Sequence, residues 1–457
     1  MTTTAAPSDT PSGEDTLRRS LGFRDLVVYG LLFIAPMAPV GVFGALQARA
    51  HGAIALVYVV ATVAMAFTAY SYAQMVRVAP QAGSVFTYAR VGLGESAGFI
   101  AGWMVMLDYL LIPAVAYLFS GIAMHSLVPA VHQWIWTALA VLITTALNLT
   151  GVRAAAAVGF LVLAMEIVVL TVFVVAAAVE LGLHGARQGW LSPFSGQGGL
   201  SLGVLLGAVS VAVLSYLGFD AIASFAEETT GGSANVARAV LTCLAVAGVL
   251  FAAQTYLAAL LDPTPAAALA ANPGVQGAEF YTVVDAAVGS WLHDLVAVSK
   301  AIGAAFAALA GQAAAGRLLF AMARERRLPR LLARVDAGSG VPRLALSCAA
   351  VVTLAAAVWA ASRDDGLDRL VSVVDIGALV AFTLLHLSVV GYFAVRGRGR
   401  DERLRPVAHV AVPLVGAAIT IAVITQASGA AQVVGAIWLV LGLVVLAVQR
   451  GRRAHAG

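Results

Sequence analysis

Four ionisable side chains sit where long apolar stretches surround them: Asp108 in GWMVMLDYLLIPAVAYL, Glu166 in LVLAMEIVVLTVF, Asp220 in YLGFD, and Lys300, the only lysine of the chain. A carboxylate in such a setting is costly, and it is retained where it binds a cation or moves a proton. Other chemistry finds little support. GQAAAGRLL at 311–319 has half the spacing of a phosphate loop, but Arg317 and Leu318 replace the Lys and Ser/Thr that would touch phosphate and magnesium. His386 has no metal-ligand spacing to a neighbour, and no nucleophile, base and orienting acid share a motif. The residue types point to binding and coupling rather than catalysis, with no metal and no cofactor implied.

These groups need elements to hold them, and two stretches interrupt the apolar sequence in a telling way. FIAPMAPVGVFG at 33–44 places Pro36 and Pro39 three residues apart and follows them with Gly41 and Gly44. Proline removes a backbone donor and clashes with the preceding turn, so a helix here must break near its middle. AVLSYLGFDAIASFAEET at 212–229 does the same with Ser215, Gly218 and Asp220. Inside a membrane such a break is tolerated where the freed backbone is buried in protein or lines a cavity.

A membrane is the setting that composition demands. Of 457 residues, 61% are hydrophobic and only 11% charged, against about 25% charged in a soluble domain; mean hydropathy is +0.92. The polar punctuation leaves about twelve apolar stretches able to cross a core of about 30 Å. They run over roughly 25–48, 53–76, 96–123, 131–150, 155–179, 200–226, 237–261, 288–321, 343–361, 370–395, 407–427 and 430–448, and are called spans 1 to 12 below. With both termini cytoplasmic, most arginines fall in inner loops and tails, while Arg49, Arg187, Arg363 and Arg369 are left outside. The basic pI of 9.2 then reflects an acidic lipid leaflet as neighbour, with no nucleic acid. Residues 1–20 are polar and rich in Ser, Thr and Pro, which reads as a disordered cytoplasmic tail. Cys243 and Cys348 lie in apolar spans and read as two buried thiols.

The two breaks fall in spans 1 and 6, five spans apart. Two five-helix units, 21–180 and 200–396, would put them at corresponding positions, and because five is odd the second unit enters the membrane inverted. The expected architecture is an all-α integral membrane protein with a 5+5 inverted repeat, two further helices in 405–449, and a basic cytoplasmic tail at 450–457.

The residues that carry these features resemble those of the amino acid-polyamine-organocation superfamily of permeases over about residues 20–450. The resemblance rests on GVFG after the first break, PQAGSVFTYAR at 80–90, NLTGVR at 148–153, RLLFAMARERRLP at 317–329 and YLGFD at 216–220. It implies a substrate site between the broken spans, walled by spans 3, 8 and 10. The family's first-helix motif falls on Pro39, Val40, Gly41, Val42 and Phe43, and the substrate-binding residues it implies are Ala38, Pro39, Val40 and Gly41 at the first break and Ser215, Tyr216 and Gly218 at the second. Relatives often carry Gly-Ser-Gly at the first break, where backbone amides receive a substrate carboxylate. Here Pro39 has no N–H and Val40 no hydroxyl, which turns the expectation toward a cation.

Asp108 and Tyr109 resemble the putrescine-importer branch, where a carboxylate and aromatics hold a protonated amine; the alternative is a structural Asp bonded to a neighbouring helix or to Lys300. In sodium-independent relatives a titratable residue near the place of Glu166 stands in for a sodium ion, so Glu166 is a candidate proton carrier, or else a structural hydrogen-bonding group. Asp220 is read either as part of an inner gate or as a helix cap. Lys300 is left with three readings: free in the pathway, paired with Asp108, Asp285 or Asp294, or snorkelling to the interface. The function expected is a secondary active permease of the plasma membrane importing an amino acid or polyamine-type amine with a proton. The alternatives are an exchanger and a non-transporting sensor of the same fold.

Overall fold

The computed structural model describes residues 21–80, 84–150, 155–226, 229–324, 329–336, 342–396 and 404–454. The tail at 1–20 lies outside the described residues, as do 81–83, 151–154, 325–328, 455–457 and the pair Glu227 and Glu228. Among the described residues the chain is helical, with no strand beyond one isolated parallel bridge between Leu21 and Thr229. Ten helices are long and apolar enough to cross a membrane, and two shorter apolar ones, Gln133–Leu149 and Leu202–Tyr216, stand at the places of spans 4 and 6.

Span 1 is discontinuous: Phe23–Ile34 and Phe43–Arg49 are α-helical, separated by a turn at 35–37 and the 3-10 turn Ala38–Val42. Spans 2 and 3 are Ile54–Val78 and Glu95–Leu127, joined by an amphipathic helix Ser84–Leu93 that the hydropathy pattern did not announce. Spans 4 and 5 are Gln133–Thr150 and Ala155–His184. Span 6 breaks in turn, with Leu202–Ala212, a 3-10 turn Val213–Tyr216, and the short helix Ala221–Ser224. Spans 7 and 8 are Ser233–Leu261 and Ser290–Arg324. Between them lie the short helices Ala266–Ala271 and Glu279–Ala287. Spans 9 and 10 are Arg343–Ala361 and Gly366–Val390, the latter prolonged by a π-turn to Val395. Span 11 is Val412–Gln426, preceded by a π-turn from Val407, and span 12 is Gly429–Ala454.

The two most extensive helix–helix interfaces pair span 3 with span 8 and span 2 with span 7, an offset of five spans in each case. Large apolar side chains such as Leu142, Phe160, Leu161, Val168 and Val351 stay exposed, as a hydrocarbon solvent allows. Span 12 is pinned to span 3 by two stacked indoles, Trp103 and Trp438, with centroids 4.8 Å apart. Each indole N–H donates to the other residue's carbonyl at 2.8 Å. Of the two cysteines only Cys243 is buried; Cys348 is exposed on span 9, because its side of that helix faces outward.

Candidate functional site

The break in span 1 begins at Ala35, whose φ of +57° is unusual for a residue with a side chain. It frees the carbonyl of Pro36 and leaves that of Met37 only the Val40 amide at 3.2 Å, and two side chains from other spans answer them. Gln254 of span 7 donates to the Pro36 carbonyl at 2.9 Å, and the Lys300 ammonium of span 8 donates to the Met37 carbonyl at 3.0 Å. The Met37 amide in turn hydrogen-bonds the Glu166 carboxyl of span 5. One residue of the broken strand is therefore held at its carbonyl by a base and at its amide by an acid. Glu166 lies directly against Gly303, one turn along span 8 from Lys300, where any larger residue would collide with its carboxyl. Lys300 is 3% exposed and Glu166 2%. The same ammonium sits 5.2 Å from the centroid of the Phe119 ring of span 3, which presses against Gly41.

Lys300 therefore pairs with neither Asp108, Asp285 nor Asp294, and it does not snorkel. Asp294 instead meets His293 at 2.9 Å, and Asp285 is exposed.

The break in span 6 is satisfied differently. Gly218 adopts φ +113°, and its missing Cβ leaves room for the Phe33 carbonyl at the end of the first half of span 1. Ser215 and the Tyr58 hydroxyl of span 2 share a hydrogen bond of 2.9 Å. The Tyr216 hydroxyl meets Thr62 at 2.7 Å and donates to the Tyr58 carbonyl at 3.1 Å. Tyr216 is thus turned onto span 2 and packs edge-on against Phe251. Asp220 occupies the cap position of the restarted helix without capping it. Its carboxylate reaches back to the Gly218 amide at 3.3 Å and receives the Tyr72 hydroxyl at 3.4 Å.

The expected site residues thus fall into three groups. Glu166 and Lys300 meet at the segment that carries Ala38, Pro39, Val40 and Gly41. Ser215, Tyr216 and Gly218 close the second break against spans 1 and 2. Asp108, 7% exposed, lies within electrostatic reach of Asp220, and Tyr109 is within reach of both. One Asp108 carboxylate oxygen has no hydrogen-bond partner among the described residues.

Several participants escaped the sequence reading. Gln254, Phe119 and the Met37 backbone carry no motif. Asp375 of span 10 does carry a signal, since it is a carboxylate inside VSVVDIGALV. It is 1% exposed, neither oxygen has a partner among the described residues, and it lies within electrostatic reach of Asp108. His386 bonds Ser71 at 2.8 Å and Thr68 at 3.3 Å as a packing residue, and no cluster of metal-ligating side chains occurs among the described residues.

Two clamped helix breaks set among buried carboxylates are a transporter's architecture, and sequence comparison agrees: the amino acid permease family matches over residues 26–447. The chain belongs to that family. It is 28% identical to the low-affinity putrescine importer PlaP of Escherichia coli (strain K12) over 434 residues, covering 94% of this chain and 93% of that protein. It is 27% identical to the methylthioribose transporter of Bacillus subtilis (strain 168) over 454 residues, 95% and 94% of the two chains. The branched-chain amino acid permease BcaP of the same organism is 27% identical over 402 residues, 83% and 82%. This permease is accordingly a multi-span membrane transporter of a small molecule, not an enzyme.

Proposed function

We propose that this permease imports a protonated organic amine, of putrescine size or an amino acid held chiefly through its amino group, by proton-coupled secondary transport. The observation that carries the reading is Asp108: a buried carboxylate at mid-span 3 with an unpartnered oxygen, neighboured by Asp220 and Asp375 rather than by a cation. A site of that sign attracts a cation. The putrescine importer among the relatives supports the same substrate class. The freed carbonyl of Met37 is already taken by Lys300, which leaves Asp108 as the counter-charge and Tyr109 as its aromatic neighbour.

In this reading Glu166 carries the coupling proton beside Lys300, and the Arg49–Asp368 ion pair of 2.7 Å between the end of span 1 and span 10 closes the outer side. The offset of five spans in the main interfaces supports the inverted repeat 21–180 and 200–396, and the distribution of arginine among the loops supports cytoplasmic termini.

Binding to purified protein and uptake into proteoliposomes test this. Asp108→Asn is expected to lose more than a hundredfold in amine affinity, the consequence of removing one partner of a desolvated charge pair worth about 3–5 kcal/mol, while the protein stays folded. Uptake should follow an imposed pH gradient without sodium, and Glu166→Gln should lose concentrative uptake while retaining exchange. Normal binding by Asp108→Asn, or strict sodium dependence, overturns the corresponding half of the proposal. Binding without accumulation in the wild type would identify a sensor.

A further inference from the structure

Asp375 is a buried carboxylate of span 10 to which the proposed function gives no role of its own. Asp368, Ser372 and Asp375 recur at four and three residues along span 10 and so share one face of the helix. Asp368 at its end is engaged by Arg49 at 2.7 Å. The next two positions are not engaged: the Ser372 hydroxyl and both Asp375 oxygens have no hydrogen-bond partner among the described residues, although the side chains are 4% and 1% exposed. Burying three polar atoms without partners is costly, and a natural protein retains such a site where something else completes it.

A cation would complete the Asp375 carboxylate. The groups within electrostatic reach of Asp375 include Asp108 from span 3, Tyr58 from span 2, Arg49 from the end of span 1, and Asp368 near the start of its own helix. Arg49 is already committed to Asp368. Span 10 approaches span 3 closely at this level, because Gly377 rests on the backbone around Met104, Leu107 and Asp108. Two carboxylates on closely packed, facing spans thus each keep an unpartnered oxygen among the described residues. A divalent metal would require six or more oxygen ligands, and these residues do not supply them. A cation with an ammonium group at each end matches the two carboxylates in number and in sign.

We propose that Asp375, assisted by Ser372, is a second anionic anchor that pairs with the far ammonium of a diamine whose near ammonium is held by Asp108. The assignment rests on the amine reading of Asp108 and deepens it: Asp108 selects for an amine, and Asp375 selects a diamine over a monoamine. Direct binding of 1,4-diaminobutane and of n-butylamine to the purified full-length protein tests it, with thermal unfolding as the check on folding. The wild type is expected to prefer the diamine. Asp375→Asn is expected to weaken diamine binding by about tenfold or more, the scale of one lost buried ion pair, and to leave monoamine binding within about twofold; Asp375→Glu should restore the preference. Asp108→Asn should lose both ligands. If Asp375→Asn does not fold, Ser372→Ala is compared instead, with about a threefold loss expected for the diamine alone. Equal loss of both amines in Asp375→Asn or Ser372→Ala, or an unchanged preference, overturns the assignment. So does a changed pH profile of uptake with the preference intact, which would make Asp375 a proton carrier. A wild type that binds monoamine and diamine equally overturns the second anchor alone, whereas one that binds neither overturns the amine reading itself.

Discussion

The two helix breaks solve the same backbone problem with opposite chemistry. In span 1 the freed carbonyls are taken by a glutamine and a lysine, and a glutamate holds the neighbouring amide. In span 6 hydroxyl groups of Tyr58, Thr62, Ser215 and Tyr216 do most of the work, with Asp220 holding the Gly218 amide. The turns differ as well: span 1 bends through a strained alanine and span 6 through a glycine that accepts its geometry freely. The first break is therefore held chiefly by ionisable side chains, and the second chiefly by hydroxyl groups with Asp220 as the one carboxylate among them.

The largest expected effect comes from removing the base. Lys300→Met leaves Glu166 and the Met37 carbonyl buried without their cation, a loss of about 3–5 kcal/mol, read as a fall in unfolding temperature in detergent. Adding Glu166→Gln to it should cost less than the two single changes summed. An unchanged unfolding temperature in Lys300→Met would break the contrast, since the first break would then not depend on charge.

A smaller effect tests the turns. Gly218→Ala must take φ +113° against the Phe33 carbonyl, at a cost of about 1–3 kcal/mol. Ala35→Gly is expected to act in the other direction and raise stability, because it relieves the turn at φ +57° by more than the loss of about 0.4–1 kcal/mol from a looser unfolded chain. Equal effects of the same sign would erase the difference between the two turns.

The neutral network should matter least to binding. Tyr58→Phe strands the Ser215 hydroxyl and is expected to lower stability by about 1 kcal/mol while amine affinity stays within about twofold. A large affinity loss would move the substrate site toward span 2.

The smallest effect is a pH dependence at the C-terminal end of span 1. Gln47 there donates to Asp262 at 3.3 Å, and Asp262 hydrogen-bonds Glu279 of the short helix between spans 7 and 8. Desolvation raises both carboxyls above their ordinary range. Groups raised in the folded state contribute stability that is full below the unfolded carboxylate range and is lost as pH rises through the raised values. Amide exchange over 262–287, corrected for its intrinsic rate, should therefore quicken from acid toward neutral pH, and Glu279→Gln should flatten that dependence. A slope of opposite sign would mean that the pair is held ionised.

Local chemistry made the spans and their interruptions legible. Hydropathy read over about twenty residues marks a crossing helix whatever it packs against, so span 9 was expected and found at 343–361. Pro36, Pro39 and Gly218 act on the backbone where they stand. The amphipathic helix Ser84–Leu93 was missed because only its docking between the ends of spans 3 and 10 gives it a buried face.

Of the site, the sequence alone determined which ionisable groups lie inside the membrane and which two spans are broken, because both follow from residue type and from distance along one chain. The tertiary structure alone decided that Lys300 turns to Met37 rather than to Asp108, that Tyr216 faces span 2, and that Asp375 comes beside Asp108. Those outcomes depend on how each helix is rotated about its own axis, and that rotation is set by packing against helices distant in the sequence, such as Gly377 on span 3 and Gly303 on Glu166.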